Sequence, residues 1–423
     1  MTEHRERGGA FVQTRCQGAP GVQGVRMSEK PRAERVGAGW GRFAAVRDDP
    51  SRMKLIAWAE HPLTQRYINR HITADEDHDW LAWAGERYFP EPASLGLSIG
   101  CGSGNVERRI IELGNARAME GTDISEQALE VARAAAGDLP ITYSLMDLNE
   151  AELPAARYDF VVSAAALHHV TNLEGCLRAL GASLKQGGLL ILNEYVGPDR
   201  FQWEVGQLDA ANEALACVPE RYRYNHLTGT MPERVERRPL GDMIKADPSE
   251  AVRSSELMDA VGRFFEVLDV REIGGTVLHP VLEGIIGNFD EGDPLDSALL
   301  VSLMRLEESM LASGRLSSDF VMAVCRKREV PMDPKQVGEA GKRKLDIIAL
   351  QEEEILELEE RLEAAERNCR RFVQAVEDYD EEIARMKAER ERLLAENAAL
   401  KSGGLFKWVR FAKARSRKTG GQE

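Results

Sequence analysis

"LSIGCGSGN", residues 97–105, is an apolar run that breaks into three glycines spaced two apart, Gly100, Gly102 and Gly104. The apolar part reads as a buried strand, and the glycines let the backbone turn sharply and approach a ligand closely. A dinucleotide, a phosphate and an adenosyl sulfonium are all held by glycine-rich turns after a strand. A P-loop is excluded, because no Gly-Lys pair followed by Ser or Thr closes the turn. The spacing is GxGxG rather than GxGxxG, so a nicotinamide dinucleotide is disfavoured. The choice falls to the residues beyond the turn.

After the loop comes a helix, then a second strand ending in "EGTDIS" with Asp123 at its tip and Ile124 beside it. Asp123 lies 23 residues beyond Gly100, the distance at which an acid reaches ribose hydroxyls. A third strand runs into "LMDLNE", which puts Asp147 where it accepts from an adenine amino group, next to Leu148. A fourth, "YDFVVSAAALHHV", ends in His168 and His169, and "LKQGGLLILNEY" supplies a turn and a fifth strand ending in Glu194 and Tyr195. Taken singly, Asp123 and Asp147 also read as ordinary turn caps, and Asp159 as a loop terminator.

This ordered set resembles the class I S-adenosylmethionine-dependent methyltransferases over roughly residues 75–330, through "LSIGCGSG", "EGTDIS", "MDL", "YDFVVSAAALHH" and "LKQGGLLIL". The resemblance implies S-adenosylmethionine as cofactor, held by Gly100, Cys101, Gly102, Gly104, Asp123, Ile124, Asp147 and Leu148. One position departs. Ser98 stands where the family usually carries an acid two residues before the first glycine, which weakens the carry-over at the methionine end.

Composition bounds the rest. At 423 residues the chain has room for more than one domain, and a net charge of -15 argues against general nucleic-acid binding. Six cysteines, at 16, 101, 176, 217, 325 and 369, form no CxxC pair, which reads as a reducing compartment without a zinc site or disulfide framework. Residues 1–50 show no period and are expected to be a disordered leader, with Met27 an alternative start. Residues 51–330 alternate strand-like runs with helical patterns. Strands are expected near 95–99, 118–122, 141–145, 158–163, 188–194, 266–272 and 319–326, with helices at 124–136 and 173–184. The fold class is α/β, a doubly wound seven-stranded Rossmann-like methyltransferase sheet whose last two strands close it as an antiparallel pair.

An acceptor hydroxyl is a poor nucleophile, so a base is expected at the strand ends where open α/β sheets bind ligands. His168 or His169 fits that role, one facing the cleft and the other the core, with Glu194 as second choice. No acidic triad accompanies the histidines, so no metal is expected. The stretch 198–262 is longer than a strand connection needs and reads as a helical insertion capping the substrate. In and beside it, Tyr195, Arg200, Trp203 and Arg223 suit a polyhydroxylated or phosphorylated acceptor, or else are core aromatics and solvated arginines. "NEYVGPDRFQW" with "DPSEAVRS" resembles, more narrowly, bacterial methyltransferases of cell-surface polysaccharide synthesis.

A linker at 331–344 leads to 345–400, where a heptad register holds throughout. Position a carries Ile348, Ile355, Leu362, Cys369, Val376, Ile383, Arg390 and Asn397, and position d carries Leu358, Phe372, Met386 and Leu393 among others. Such a seam predicts a coiled coil and hence a homo-oligomer. The tail, 401–423, holds seven Lys or Arg and one Glu, and over 404–418 sets Leu405, Trp408 and Val409 against Lys407, Arg410 and Lys413. That is the pattern of an interfacial helix on an anionic membrane.

The layout is similar to that of O-antigen chain-terminating methyltransferases with a C-terminal coiled coil. It implies O-methylation of a glycan or lipid-linked glycan in the cytoplasm, at the inner face of the cell membrane, with a docked glycosyltransferase left open. A soluble small-molecule methyltransferase and a membrane-bound scaffold with a degenerate site are the alternatives.

Overall fold

The computed structural model describes residues 36–37, 56–328 and 334–416. Seven strands form one sheet: β1 (Gly96–Ile99), β2 (Met119–Asp123), β3 (Ile141–Leu145), β4 (Tyr158–Ala164), β5 (Leu184–Tyr195), β6 (Phe265–Gly274) and β7 (Phe320–Lys327). Their order is β3-β2-β1-β4-β5-β7-β6. The first five pair in parallel, and β7 inserts antiparallel between β5 and β6. All seven strands lie where the apolar runs place them, and the last two close the sheet as the antiparallel pair expected. The chain reverses its lateral direction between β1 and β4, and open sheets of this kind bind ligands at that point.

The strands alternate between two apolar layers. Leu97, Ile99, Val161, Leu190 and Leu192 face one, and Met119, Phe160, Val162, Ile191 and Met322 face the other. Gly96 starts β1 because a Cβ there would come within 2.3 Å of the Phe160 ring and 2.6 Å of the Met119 sulfur.

Helices cover both faces. Ahead of the sheet run α1 (Pro62–Thr73) and α2 (Trp80–Tyr88). The crossovers are α3 (Asn105–Glu112), α4 (Glu126–Ala136) and α5 (Leu173–Ser183). Helix α4 starts two residues later than its period suggests, because Ser125 caps it, its hydroxyl accepting from Ala128 N. Between β5 and β6 lie α6 (Val205–Ala216), α7 (Leu240–Ala246) and α8 (Leu257–Phe264). Helix α9 (Leu278–Leu282) and α10 (Pro294–Ala312) precede β7. The stretch 198–262 is therefore no detached cap: Ala210, Ala211, Ala214 and Leu215 of α6 belong to the same core as α9 and α10.

The last helix, α11, runs Pro334–Ser416. It takes in residues 334–344, expected as a linker, and continues through Gly403 and Gly404, so the heptad stretch and the start of the basic tail are one helix. Near its start it is joined to the domain. Glu352 pairs with Arg200, and Gly241 N at the head of α7 donates to Glu359 Oε1 at 2.7 Å. Further along, Leu358, Leu362, Ile383, Met386 and Leu393 stand exposed. No described helix is long and apolar enough to cross a membrane. Most of the expected leader lies outside the described residues, but Val36 and Gly37 are helical and buried, so the disorder expected for 1–50 does not hold there.

Asp319, just before β7, is buried and accepts from Gln207 Nε2 at 2.7 Å. Burial pushes its carboxyl from 3.8 up to about 7. Between those values the unfolded chain ionises while the native state stays protonated, so native stability falls as pH rises through this window. Asp319→Asn removes the loss. Its stability relative to the native sequence is expected to grow from pH 4 to pH 7 by about 3 kcal/mol, read from urea unfolding at several pH values. Parallel pH curves for the two proteins would show that Asp319 is not the group responsible.

Candidate functional site

The turn after β1 has the geometry its glycines suggest. Gly100, Gly102 and Gly104 have φ of 59°, 53° and 78°, the left-handed region that glycine enters without strain. A Cβ on Gly100 would lie 2.4 Å from Ala166 Cβ, whereas Gly102 has open space above it. The loop leads into the N-terminus of α3 and lines a cavity of about 840 Å³ through Gly100, Cys101, Gly102, Ser103, Asn105 and Val106. Gly104 stands behind the turn, against the Tyr143 hydroxyl.

Asp123 ties two loops together. Its Oδ2 accepts from Gly102 N at 2.9 Å and its Oδ1 from Ser125 N at 2.8 Å. Burial raises its pKa against the opposing pull of those amides. Asp147 Oδ1 accepts from Asn149 N at 2.9 Å, capping a short turn over Leu148–Glu150. Both aspartates are thus turn caps and also line the cavity, beside Ile124 and Leu148. Asp159 is an anchor, holding Ser94, Leu95 and Lys185.

A buried acid lies beside Ser98. Glu107 of α3 is fully buried next to it. Burial pushes the Glu107 carboxyl up to about 7, against the pull of the Ser98 hydroxyl. This acid comes from the helix that follows the glycine turn and does not line the cavity. Its place in an amphipathic helix gave no sign of this.

Beside the glycine turn β4 finishes at Ala164, and Ala165, with φ 55°, swings the chain into the turn Leu167–His169. Glu194 holds that turn. Its Oε1 accepts from Ser163 Oγ at 2.5 Å, Ala166 N at 2.9 Å and Leu167 N at 3.0 Å. Its Oε2 lies 2.7 Å from His168 Nδ1. Burial alone would raise its pKa, but the His168 imidazole and these donors hold it below the ordinary value. Glu194 does not line the cavity itself and reaches it through His168. Burial alone would lower the His168 pKa, and Glu194, with Glu250 and Asp247 nearby, raises it.

Both histidines line the cavity, where one was expected to face the core. Their rings lie 4.2 Å apart. His169 Nδ1 lies 3.2 Å from Ser249 Oγ, which itself donates to Asp247 Oδ1 at 2.6 Å. Burial and then His168 lower the His169 pKa. Glu250 Oε1 lies 3.6 Å from His168 Nε2. Among the described residues, His168, His169 and Glu250 each bring a ligand atom within 4.8 Å of the others, a set able to hold a metal ion. Glu250 is the acid whose absence from the local sequence argued against a metal.

Of the acceptor residues expected, only Tyr195 lines the cavity, its hydroxyl donating to Pro198 O at 3.0 Å. Arg200 is buried behind the wall, donating to Asp247 O and Glu250 O and pairing with Glu352. Trp203 stacks on Phe201, and Arg223 donates to Val218 O at 2.8 Å; neither lines the cavity. From 198–262 only Ser249 and Glu250 reach it. Part of the remaining wall comes from before the sheet, through Val36, Ala57–Glu60, Gln65, Ile68 and Trp80, and part from the late strands, through Ile273 and Phe320.

Comparison with known proteins finds methyltransferases. Residues 97–192 match a family model described as a methyltransferase domain. An uncharacterised methyltransferase of Mycobacterium tuberculosis is 34% identical over 102 residues, 24% of this chain and 51% of that one. A ubiquinone biosynthesis O-methyltransferase of Methylocella silvestris is 28% identical over 180 residues, 40% of this chain and 64% of that one. The crystal structure of an S-adenosylmethionine-dependent methyltransferase from Mesorhizobium loti is 22% identical, covering 56% of this chain and 92% of that one, with a TM-score of 0.35. The chain spans about half the length of the first of these relatives.

Residues 97–192 match a methyltransferase domain, and the sheet order and the glycine turn are those expected from the resemblance to class I S-adenosylmethionine-dependent methyltransferases. The cavity fits the cofactor: a turn open at Gly102, Asp123 at the tip of β2 for a ribose, and Asp147 with Leu148 at the tip of β3 for an adenine. Asp123→Ala is expected to weaken S-adenosylhomocysteine binding by about 10- to 100-fold, the loss of a charge-assisted hydrogen bond. Arg223→Ala should leave it unchanged. Calorimetric titration reads both, and equal affinity in Asp123→Ala would remove that residue from the cofactor site.

Proposed function

We propose that the protein methylates a hydroxyl of a polyhydroxylated acceptor, a surface or lipid-linked glycan, at the His168–His169 end of the cavity. The observation that carries the chemistry is the buried pair of Glu194 and His168, 2.7 Å apart. With Nδ1 given to Glu194, the His168 Nε2 carries the lone pair toward Glu250 and the cavity, where an acceptor is activated. When bound, S-adenosylmethionine supplies an electrophilic methyl group on a sulfonium. The chain's own residues orient the acceptor and exclude water, which for such a displacement is most of the work. The relative from Methylocella silvestris is by its name an O-methyltransferase.

The glycan part of the reading rests on α11. Its apolar heptad positions, Leu358, Leu362, Ile383, Met386 and Leu393 among them, are exposed in a single chain and fit a second copy. Beyond them the helix carries Lys407, Arg410 and Lys413, all exposed, which suit an anionic membrane surface. A head, an oligomerising arm and a basic end would hold methyl transfer at a set distance from a membrane. The relatives' names favour a second reading, in which the acceptor is a small molecule and the arm only oligomerises the heads.

Labelled methyl from S-adenosylmethionine, added with the protein to a cell extract, separates the two. Label is expected in the lipid-linked glycan fraction. Label confined to soluble compounds would discard the glycan and keep the methyltransferase, and absence of S-adenosylmethionine binding would favour a scaffold. His168→Ala is expected to lower the transfer rate by about 100- to 10,000-fold with cofactor affinity intact. Removing whole heptads from α11 should change the length of the methylated glycan.

A further inference from the structure

We propose that His168, His169 and Glu250 form a binding site for a divalent transition-metal cation, placed to receive an acceptor that chelates through two adjacent oxygens. The inference deepens the proposed function and rests on it for the acceptor, while the cation site itself stands on geometry. With the cation bound, His168 Nε2 is a ligand, and the cation takes over from the free imidazole as the group that activates the acceptor. The three residues come from two separate elements, the turn after β4 and the 247–253 loop of the insertion, and both elements are held in place. Val252 N donates to His168 O at 3.1 Å, and Arg200 N donates to Ala251 O at 2.8 Å. Arg200 also grips Glu250 O from behind at 3.2 Å.

Each imidazole has its outer nitrogen committed. His168 Nδ1 is bonded to Glu194, whose Oε1 is fixed by Ser163, Ala166 and Leu167. At His169, Ser249 gives its own proton to Asp247, so the ring donates from Nδ1 to Ser249 Oγ. Both rings thereby take the tautomer with the lone pair on Nε2. An imidazole whose far nitrogen donates to a carboxylate or another fixed oxygen is the arrangement that orients and strengthens a metal-ligating histidine. The third donor, Glu250, has a side chain 21% exposed, with Oε1 3.6 Å from His168 Nε2. It is the ligand with room to close the 4.8 Å spread of the three donor atoms.

Two imidazoles and one carboxylate suit manganese, iron, cobalt or zinc better than the all-oxygen preference of calcium or magnesium. Three ligands would leave coordination positions open, and the cavity that the three residues line also contains Tyr195 and the glycine loop. A vicinal diol or a 2-hydroxy acid would occupy two of them. Coordination would fix which hydroxyl is presented and make it more acidic.

The full-length protein, freed of metal by a chelator and dialysed, is titrated with Co²⁺ and followed by calorimetry and visible absorption. One ion per chain is expected, with the ligand-field bands of a nitrogen–oxygen site. Glu250→Gln and His169→Ala should each weaken binding by about 10- to 100-fold, while S-adenosylhomocysteine affinity, the check that both variants fold, stays the same. No saturable binding, or binding that survives both substitutions, overturns the site. Labelled methyl transfer in the presence of chelator keeps this result distinct from the proposed function. Transfer lost to the chelator and restored by Co²⁺ supports the cation, and undiminished transfer overturns it while the methyltransferase stands.

Discussion

The Glu194 carboxylate is the interaction on which the two halves of the cleft depend. It is fully buried, and four donors from β4, the following turn and His168 satisfy it. A buried charge is tolerable only on such terms. Because Oε1 fixes Ala166, it also fixes what Ala166 touches. The Ala166 side chain leaves no room for a Cβ on Gly100, so the histidine turn and the glycine turn are pressed together across the strand ends of β1 and β4. The glycine turn and the histidine turn that line the cavity are therefore set relative to each other by one carboxylate on β5.

Much of this was legible in the sequence because it is written locally. Each strand is a short apolar run bounded by turn residues, and the glycine spacing shows where the backbone bends. Asp123 and Asp147 follow their strands directly, so placing the strands placed the aspartates. What stayed hidden depends on residues far apart in the chain. Glu250 joins His168 only because the 247–253 loop folds back over the turn after β4, and nothing near either residue announces the other. The wall from residues 57–80 is similar: Trp58, Gln65 and Trp80 carry no signature, and only the packing of α1 against β6 brings them to the cavity.

Arg200 shows how a residue type can be read correctly and its direction missed. An arginine among aromatics after β5 suggested an anion grip facing the ligand. Its backbone instead adopts φ 57°, and the side chain turns away from the cavity into carbonyl oxygens and Glu352. Strain of that kind in a non-glycine residue persists only where the surroundings enforce it. Here Ala251, itself at φ 45°, accepts from Arg200 N. Two strained residues brace each other, and the loop carrying Glu250 is the result.

The same brace connects the long helix to the chemistry. Glu352 belongs to α11 and reaches Arg200, which holds the carbonyl oxygens of Asp247 and Glu250, and that loop meets His168. The chain of contacts arrives at Glu250 and His168. An arm that served only to multiply copies could be attached anywhere on the head. This one is attached through Arg200, which also holds the loop carrying Glu250, so the anchor of the long helix and the His168 side of the cavity share one residue.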